Sequence, residues 1–375
     1  MEVPRFTDLN PSPRILLGPG PSMVHPRVLR AMAAPLVGHL DPEFITLMNE
    51  TQQMLRYVFQ TQNELTIPVS GTGSAGMEAA LCNFIEPGDN VLIAVNGYFG
   101  ERLCNMAARY GTQVDRLDRP WGEIFDPGEI EAALSKKHYK LLALVHAETS
   151  TGAMQLDVRE IAAAAHRHGA LVVLDTVTSL GGVPVEIDAW DVDISYSGTQ
   201  KCLSCPPGLA PLTIGPRARE ALRNRKTQIA NWYLDMTMVE KYWGDERTYH
   251  HTAPISMNYA LREALRLVVE EGLEARFARH RANAEMLWAG LQDLDLPPLV
   301  PHRYRLPSLT TCRLGPSIDD ARTRRRLLDE YNIEISGGLG PLKGKIWRIG
   351  LMGFSSRREN ITLLLSALRQ ILQKP

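Results

Sequence analysis

Leu171-Val172-Val173-Leu174-Asp175, followed further along by Ser197-Gly198-Thr199-Gln200-Lys201, is the pair of stretches that decides how this chain folds. An apolar run of this length closed by a carboxylate reads as a strand buried on both faces, a setting that parallel sheets covered by helices provide. Asp191-Val192-Asp193-Ile194-Ser195-Tyr196-Ser197 reads as the adjacent strand. Asp175 and Lys201 then reach the same carboxyl edge of the sheet, where open α/β sheets bind their ligands. Working outward, strands at 65–69, 91–95, 141–146, 171–175, 192–197 and 209–214 alternate with amphipathic helices, the signature of βαβ units. Asp157 with Glu160 predicts a capping box before a helix from Ile161 to His168, with Gly169 ending it. Pro87-Gly88-Asp89 closes a helix from Met77 to Ile85 and turns into the next strand.

Past residue 254 the texture changes to long helices and isolated strands. Helices are expected from Asn258 to Glu271 and from Leu273 to about Leu294, then a strand at 308–314 and a helix at 318–331. Strands at 333–336 and 345–350 and a closing helix from Arg358 to Leu372 complete the pattern. The expected organisation is an extended Pro- and Gly-rich arm at 1–22, a large α/β domain at 23–254 and a smaller α+β domain at 255–375.

Composition narrows the function. With 41 basic and 42 acidic side chains the chain carries no footprint for nucleic acid or an anionic membrane, so small molecules are the expected partners. No apolar run approaches the roughly 20 residues that span a bilayer. Met1-Glu2-Val3-Pro4-Arg5 lacks a secretory pattern, and Leu372-Gln373-Lys374-Pro375 does not match a Ser-Lys-Leu peroxisomal address, so a cytoplasmic location is expected. Five scattered cysteines, an odd number, predict free thiols rather than a disulfide framework. Cys202-Leu203-Ser204-Cys205 has no second pair to complete a zinc site, His166-Arg167-His168 suits the end of a helix, and no metal is expected.

The chemistry follows from what a lysine and an aspartate do together. A lysine amine condenses with pyridoxal phosphate to form a Schiff base, and an ionised aspartate keeps the pyridine nitrogen protonated so that the ring accepts electrons. Such a cofactor needs an anion site. Ser70-Gly71-Thr72-Gly73-Ser74-Ala75-Gly76 offers one, a glycine-rich strand-to-helix turn with backbone amides, a helix N-terminus and the hydroxyls of Thr72 and Ser74. It lacks the lysine of a Walker loop and falls out of register with G-x-G-x-x-G, so a nucleotide site is disfavoured. Phe99, in Asn96-Gly97-Tyr98-Phe99-Gly100, is placed to stack on the ring, and Thr149, after the 141–146 strand, to reach the ring hydroxyl or the substrate. An amino-acid substrate brings a carboxylate, for which a guanidinium is the best planar partner. Arg348, flanked by apolar residues in Lys345-Ile346-Trp347-Arg348-Ile349-Gly350, is the candidate; Arg324-Arg325-Arg326 reads as a solvated helix face.

With these residues in place, the chain resembles the class V aminotransferases of pyridoxal-phosphate fold type I, in the branch of the alanine-glyoxylate and serine-pyruvate enzymes. The resemblance runs nearly end to end: Leu17-Gly18-Pro19-Gly20-Pro21-Ser22, Asp175 with Ser179-Leu180-Gly181-Gly182, Tyr196 to Lys201, Pro206-Pro207-Gly208, Tyr249-His250-His251-Thr252, Ile333-Glu334-Ile335, Gly337-Gly338-Leu339-Gly340 and Arg348-Ile349-Gly350-Leu351. It implies a mixed, mostly parallel sheet sandwiched by helices, with a smaller C-terminal α+β domain. By the same resemblance, Lys201 is the Schiff-base lysine and proton shuttle, Asp175 the partner of the pyridine nitrogen, and Thr72, Gly73, Ser74 and Gln200 neighbours of the phosphate. Arg348, with Thr149 and Gly20 beside it, binds the substrate. Tyr249 and Thr252 match residues that reach the phosphate of a neighbouring subunit, which implies a homodimer with shared active sites.

The implied reaction is a ping-pong transfer of the amino group of alanine or serine to glyoxylate or pyruvate. Three departures bear on it: Phe99 stands where the family's alanine-glyoxylate enzymes usually have Trp, Thr149 where they have Ser, and Ser74 where they have His. Ureidoglycine, pyridoxamine, hydroxykynurenine or aminoethylphosphonate users of the same family are the alternatives. A desulfurase is a more distant one, since it wants a mobile thiol and Cys312 reads as part of a strand.

Overall fold

The computed structural model describes residues 3–373; Met1-Glu2 and Lys374-Pro375, part of the terminal stretches read above for targeting signals, lie outside the described residues. Its centre is a seven-stranded sheet whose strands run, in spatial order, Leu65–Ser70, Leu209–Ile214, Ile194–Tyr196, Leu171–Asp175, Leu141–Val145, Asn90–Val95 and Gln113–Asp118. Leu209–Ile214 is antiparallel to both of its neighbours and every other pairing is parallel. Alternation along the strands fills two separate cores. Leu141, Ala143, Leu171 and Val173 face one helical layer, while Leu142, Leu144, Val172 and Leu174 face the other. Both layers are apolar, which explains why Leu171–Asp175 contains no polar residue before its last position.

One strand of the central sheet escaped the sequence reading. Gln113–Asp118 carries Gln, Asp, Arg and Asp among its six residues and has no buried position, because it lies at the sheet edge beside Asn90–Val95. The helix after Asp157 is also built differently from expectation. It spans Val158–Arg167, but Asp157 sits in the left-handed region at φ 57° and makes no side-chain cap bond. A capping carboxylate needs extended backbone to face the first free amides, and that conformation turns it away. The capping box forms instead at Asp126 and Glu129, opening Pro127–Leu134. The helix expected from Met77 begins earlier and spans Gly73–Cys82, bringing its N-terminus onto the glycine-rich turn.

The C-terminal part is built on a three-stranded antiparallel sheet, Leu309–Arg313, Ile346–Gly350 and Ser336–Gly337. Helices Asp320–Tyr331 and Arg358–Gln373 bury Leu327, Ile361, Leu364 and Leu368 with Trp347 and Ile349 of this sheet. Helix Ile255–Glu271 lies against Pro26–Met32 and Pro42–Phe59, and its Ala260, Leu261, Ala264, Leu265 and Val268 belong to a core of the large sheet. The helices lengthen after residue 254. The arm is docked on the small domain's elements: Ile15–Leu16 pairs in parallel with Ile333–Glu334, and Leu17 enters the small core. Among the described residues no helix is long and apolar enough to cross a membrane.

Candidate active site

Asp175 ends its strand 2% exposed. Its Oδ1 accepts from the Val177 amide at 2.8 Å and its Oδ2 from the Tyr196 hydroxyl at 2.7 Å. Burial pushes the carboxyl up to about 6, against the pull of those two bonds and of Lys201 and Arg102. Tyr196 is the register partner of Asp175 on the next strand, and sequence reading missed it because only the pairing reveals the contact.

Lys201 follows on the turn after Tyr196, 7% exposed, and its Nζ donates to the Pro19 carbonyl. Burial, with the Arg348 guanidinium adding to it, lowers this amine to about 8. The arm holds the turn: the Ser22 amide donates to the Gln200 carbonyl at 2.9 Å and Ser22 Oγ to the Lys201 carbonyl at 2.7 Å. Gly20 has φ +112°, and a Cβ there would sit 2.8 Å from Lys201 Cδ and 3.1 Å from Nζ. Glycine is therefore demanded at this position both by conformation and by the space the lysine occupies.

The glycine-rich turn faces the same cleft. Thr72 is the N-cap of Gly73–Cys82 but makes no side-chain cap bond, so the first amides of the helix are not capped from within. A Cβ on Gly73 would lie 3.5 Å from Val177 Cγ2 and 3.6 Å from Gly198 Cα, which shows how near the turn approaches the segments carrying Asp175 and Lys201. Ser74 Oγ accepts from Arg102 Nη1 at 3.0 Å, and the same guanidinium lies 4.8 Å from the centre of the Phe99 ring. Arg102 is a second group that sequence reading missed; it joins the phosphate turn to the aromatic. Gln200 Oε1 is buried and has no hydrogen-bond partner among the described residues.

Thr149 and Thr178 share a hydrogen bond between their hydroxyls. Glu148, absent from the sequence expectations, is fully buried and accepts from the Ser150 amide at 2.9 Å, Ser150 Oγ at 2.6 Å and the Phe99 amide at 3.2 Å. Burial raises its carboxyl as well. Arg348, 8% exposed at the centre of the small sheet, donates through Nε to the Gly337 carbonyl at 2.8 Å and through Nη1 to that of Thr149 at 3.5 Å. Among the described residues no carboxylate lies within 4.0 Å of its guanidinium. Burial lowers its pKa, Glu148 opposing. Tyr249 is 58% exposed and Thr252 is exposed, and among the described residues neither side chain hydrogen-bonds to the groups of this cleft.

The five thiols are all buried. Cys312, in Leu309–Arg313, is held up at about 12 by burial, so it is neither mobile nor ionised. The rest of the cleft fits pyridoxal phosphate. A glycine-lined turn with uncapped amides suits a phosphate, Asp175 lacks a cation, and the Lys201 amine is easily deprotonated.

A family model described as Aminotransferase class-V matches residues 15–354. The chain is 42% identical over 377 residues to the (S)-ureidoglycine–glyoxylate transaminase of Bacillus subtilis (strain 168), a match spanning 96% of this chain and 90% of that one. It is 41% identical over 364 residues to the alanine–glyoxylate aminotransferase of Rattus norvegicus, spanning 96% and 88%. The crystal structure of an alanine–glyoxylate aminotransferase from Nostoc sp. matches with a TM-score of 0.97 at 54% identity, over 98% of each chain.

Proposed function

We propose that this chain, which belongs to the class-V aminotransferases, moves the amino group of a small amino acid, alanine or serine, to a 2-oxo acid, glyoxylate or pyruvate, by a ping-pong mechanism. It is a pyridoxal-phosphate-dependent transaminase of fold type I. Bound pyridoxal phosphate supplies an electron sink that protein side chains lack.

The residues divide the remaining work. Arg348 holds the substrate carboxylate; it is buried and, among the described residues, bonded only to carbonyls and without an ion pair, so an incoming carboxylate completes it. This is the observation that carries the reading. Lys201 anchors the cofactor and moves the proton at the substrate's α-carbon, work suited to an amine lowered to about 8. Asp175 keeps the pyridine nitrogen protonated; its ionised form is raised in energy by burial and regains that energy against a cation. Uncapped amides at Gly73 and Ser74, with Thr72 and Gln200, hold the phosphate, while Phe99, backed by Arg102, covers the ring. Gly20 and Thr149 border the substrate.

Tyr249 and Thr252 are assigned to the phosphate of a second protomer, in a cytoplasmic homodimer. Their exposure on the single chain supports this. The expected result is that mixing Lys201→Ala protomers with Thr252→Ala protomers restores part of the activity each lacks alone; no restoration contradicts shared sites. A second reading, (S)-ureidoglycine as donor, is favoured by the Bacillus subtilis relative. A screen of alanine, serine and (S)-ureidoglycine against glyoxylate and pyruvate decides between them. The proposal holds if alanine or serine gives the highest kcat/KM and fails if neither is turned over.

A further inference from the structure

We propose that Arg276 is a positioning residue whose guanidinium, closed on the carbonyls of Gly181 and Cys202, fixes the spacing between the loop after Asp175 and the turn after Lys201. The inference rests on the reading that these two residues hold the cofactor.

Arg276 lies on helix Leu273–Gln292, far along the chain from both groups, and is 5% exposed. Its Nε donates to the Gly181 carbonyl at 2.7 Å and its Nη2 donates to the Cys202 carbonyl. Those two N–H groups share one edge of a planar guanidinium, so the two carbonyls are gripped at a separation set by the side chain itself. Cys202 adjoins Lys201, and Gly181 belongs to the loop that leaves Asp175.

The grip is anchored on its other side. Arg276 Nη1 donates to Glu271 at 2.6 Å, and Glu271 also receives Arg279 Nε at 2.6 Å. Arg279 continues to the carbonyls of Gly353 at 3.0 Å and Ser356 at 2.7 Å, and His280 Nε2 accepts from the Gly353 amide at 3.0 Å. One face of a single helix therefore ties the lysine turn to the segment that follows Ile346–Gly350, the strand bearing Arg348. Cys202 Sγ donates to the Thr178 carbonyl at 3.5 Å, a weaker link between the same two segments. A cavity of about 650 Å³, lined by Leu203, Ser204, Ala264, Arg276, Arg279 and Phe354 among others, opens beside it and leaves the turn room to shift.

Arg276→Lys keeps the charge and loses the planar fork. The holoenzyme variant is expected to lose kcat by about ten- to a hundredfold, the scale of a small misplacement of catalytic groups, with KM for the amino donor changed much less. The pH titration of the bound cofactor's visible absorption is expected to shift by roughly half a unit, since a moved amine senses Asp175 and Arg348 differently. A folded Arg276→Lys enzyme with a lowered Tm but wild-type kcat and titration would reduce Arg276 to a packing role and overturn the proposal. If that variant does not fold, Glu271→Gln carries the test: it keeps the fork and loosens its anchor, so a smaller shift of the same sign is expected and an unshifted titration overturns the proposal. Borohydride trapping on wild-type enzyme separates the two claims, because failure to label Lys201 sinks the functional reading and not the role of Arg276 alone.

Discussion

Two sets of arginines in the C-terminal part of the molecule show how this protein treats charge. Arg324, Arg325 and Arg326, on one helix, each meet a carboxylate one turn away: Asp320 at 2.7 Å, Asp329 at 2.5 Å and Glu330 at 2.6 Å. Arg348, on the sheet beside them, is more deeply buried than any of the three and has carbonyls for partners instead. A buried guanidinium left without an anion is costly to the fold and valuable to a ligand that brings one. Lys201, Asp175 and Glu148 repeat the theme across the cleft, each shifted toward its neutral form by burial. The helix arginines are neutralised by their own sequence; the cleft groups wait for substrate and cofactor.

Substitutions on the two sides of this contrast are expected to diverge. The largest effect belongs to Lys201→Ala, which removes both anchor and proton carrier; single-turnover assays are expected to show a loss of at least about 10⁴-fold, the size seen when a covalent catalyst is deleted. Arg348→Lys retains charge without the planar fork, so KM for the amino donor is expected to rise by about 10²-fold with a smaller loss in kcat.

Asp175→Asn separates stability from activity. The buried acid has its folded pKa raised from 3.8 to about 6, so protonation favours the folded state at low pH and that advantage is lost as pH climbs through about 6. At neutral pH the cofactor-free protein therefore carries a penalty of about 3 kcal/mol from this group. The neutral amide is expected to raise the Tm of cofactor-free protein at pH 7, but not at pH 4, while lowering kcat by about 10³-fold through loss of the anion. A lowered Tm at pH 7 contradicts the account. At the small end, Arg325→Ala is expected to change stability by less than about 0.5 kcal/mol and kinetics not at all, because its ion pair is exposed and screened. A large kinetic effect there would erase the contrast.

The same contrast explains what the sequence made legible. Leu171–Asp175 and Leu141–Val145 announce themselves because burial on two faces excludes polar residues; Gln113–Asp118, equally part of the sheet, does not, because an edge strand tolerates them. Asp175 ends one strand and Lys201 lies on the turn after the neighbouring strand, so their convergence follows from one crossover. Tyr196 on Asp175, Arg102 on Ser74 and Arg276 on Cys202 depend on register or on helices packed from far along the chain. Ser22 lay inside a quoted motif and Glu148 stood beside Thr149, but their roles as tether and acceptor need the backbone geometry to be seen. The packing of helix Ile255–Glu271 against the large sheet's core was not legible either, because amphipathicity tells which face is buried and not against what.

The central claim is that Lys201 is the residue to which pyridoxal phosphate attaches, opposite Asp175. Borohydride reduction of the yellow holoenzyme followed by peptide mapping tests it most directly. A reduced pyridoxyl group on Lys201 and on no other lysine is the predicted result; a label elsewhere, or a wild-type enzyme that turns over with no label at all, contradicts it.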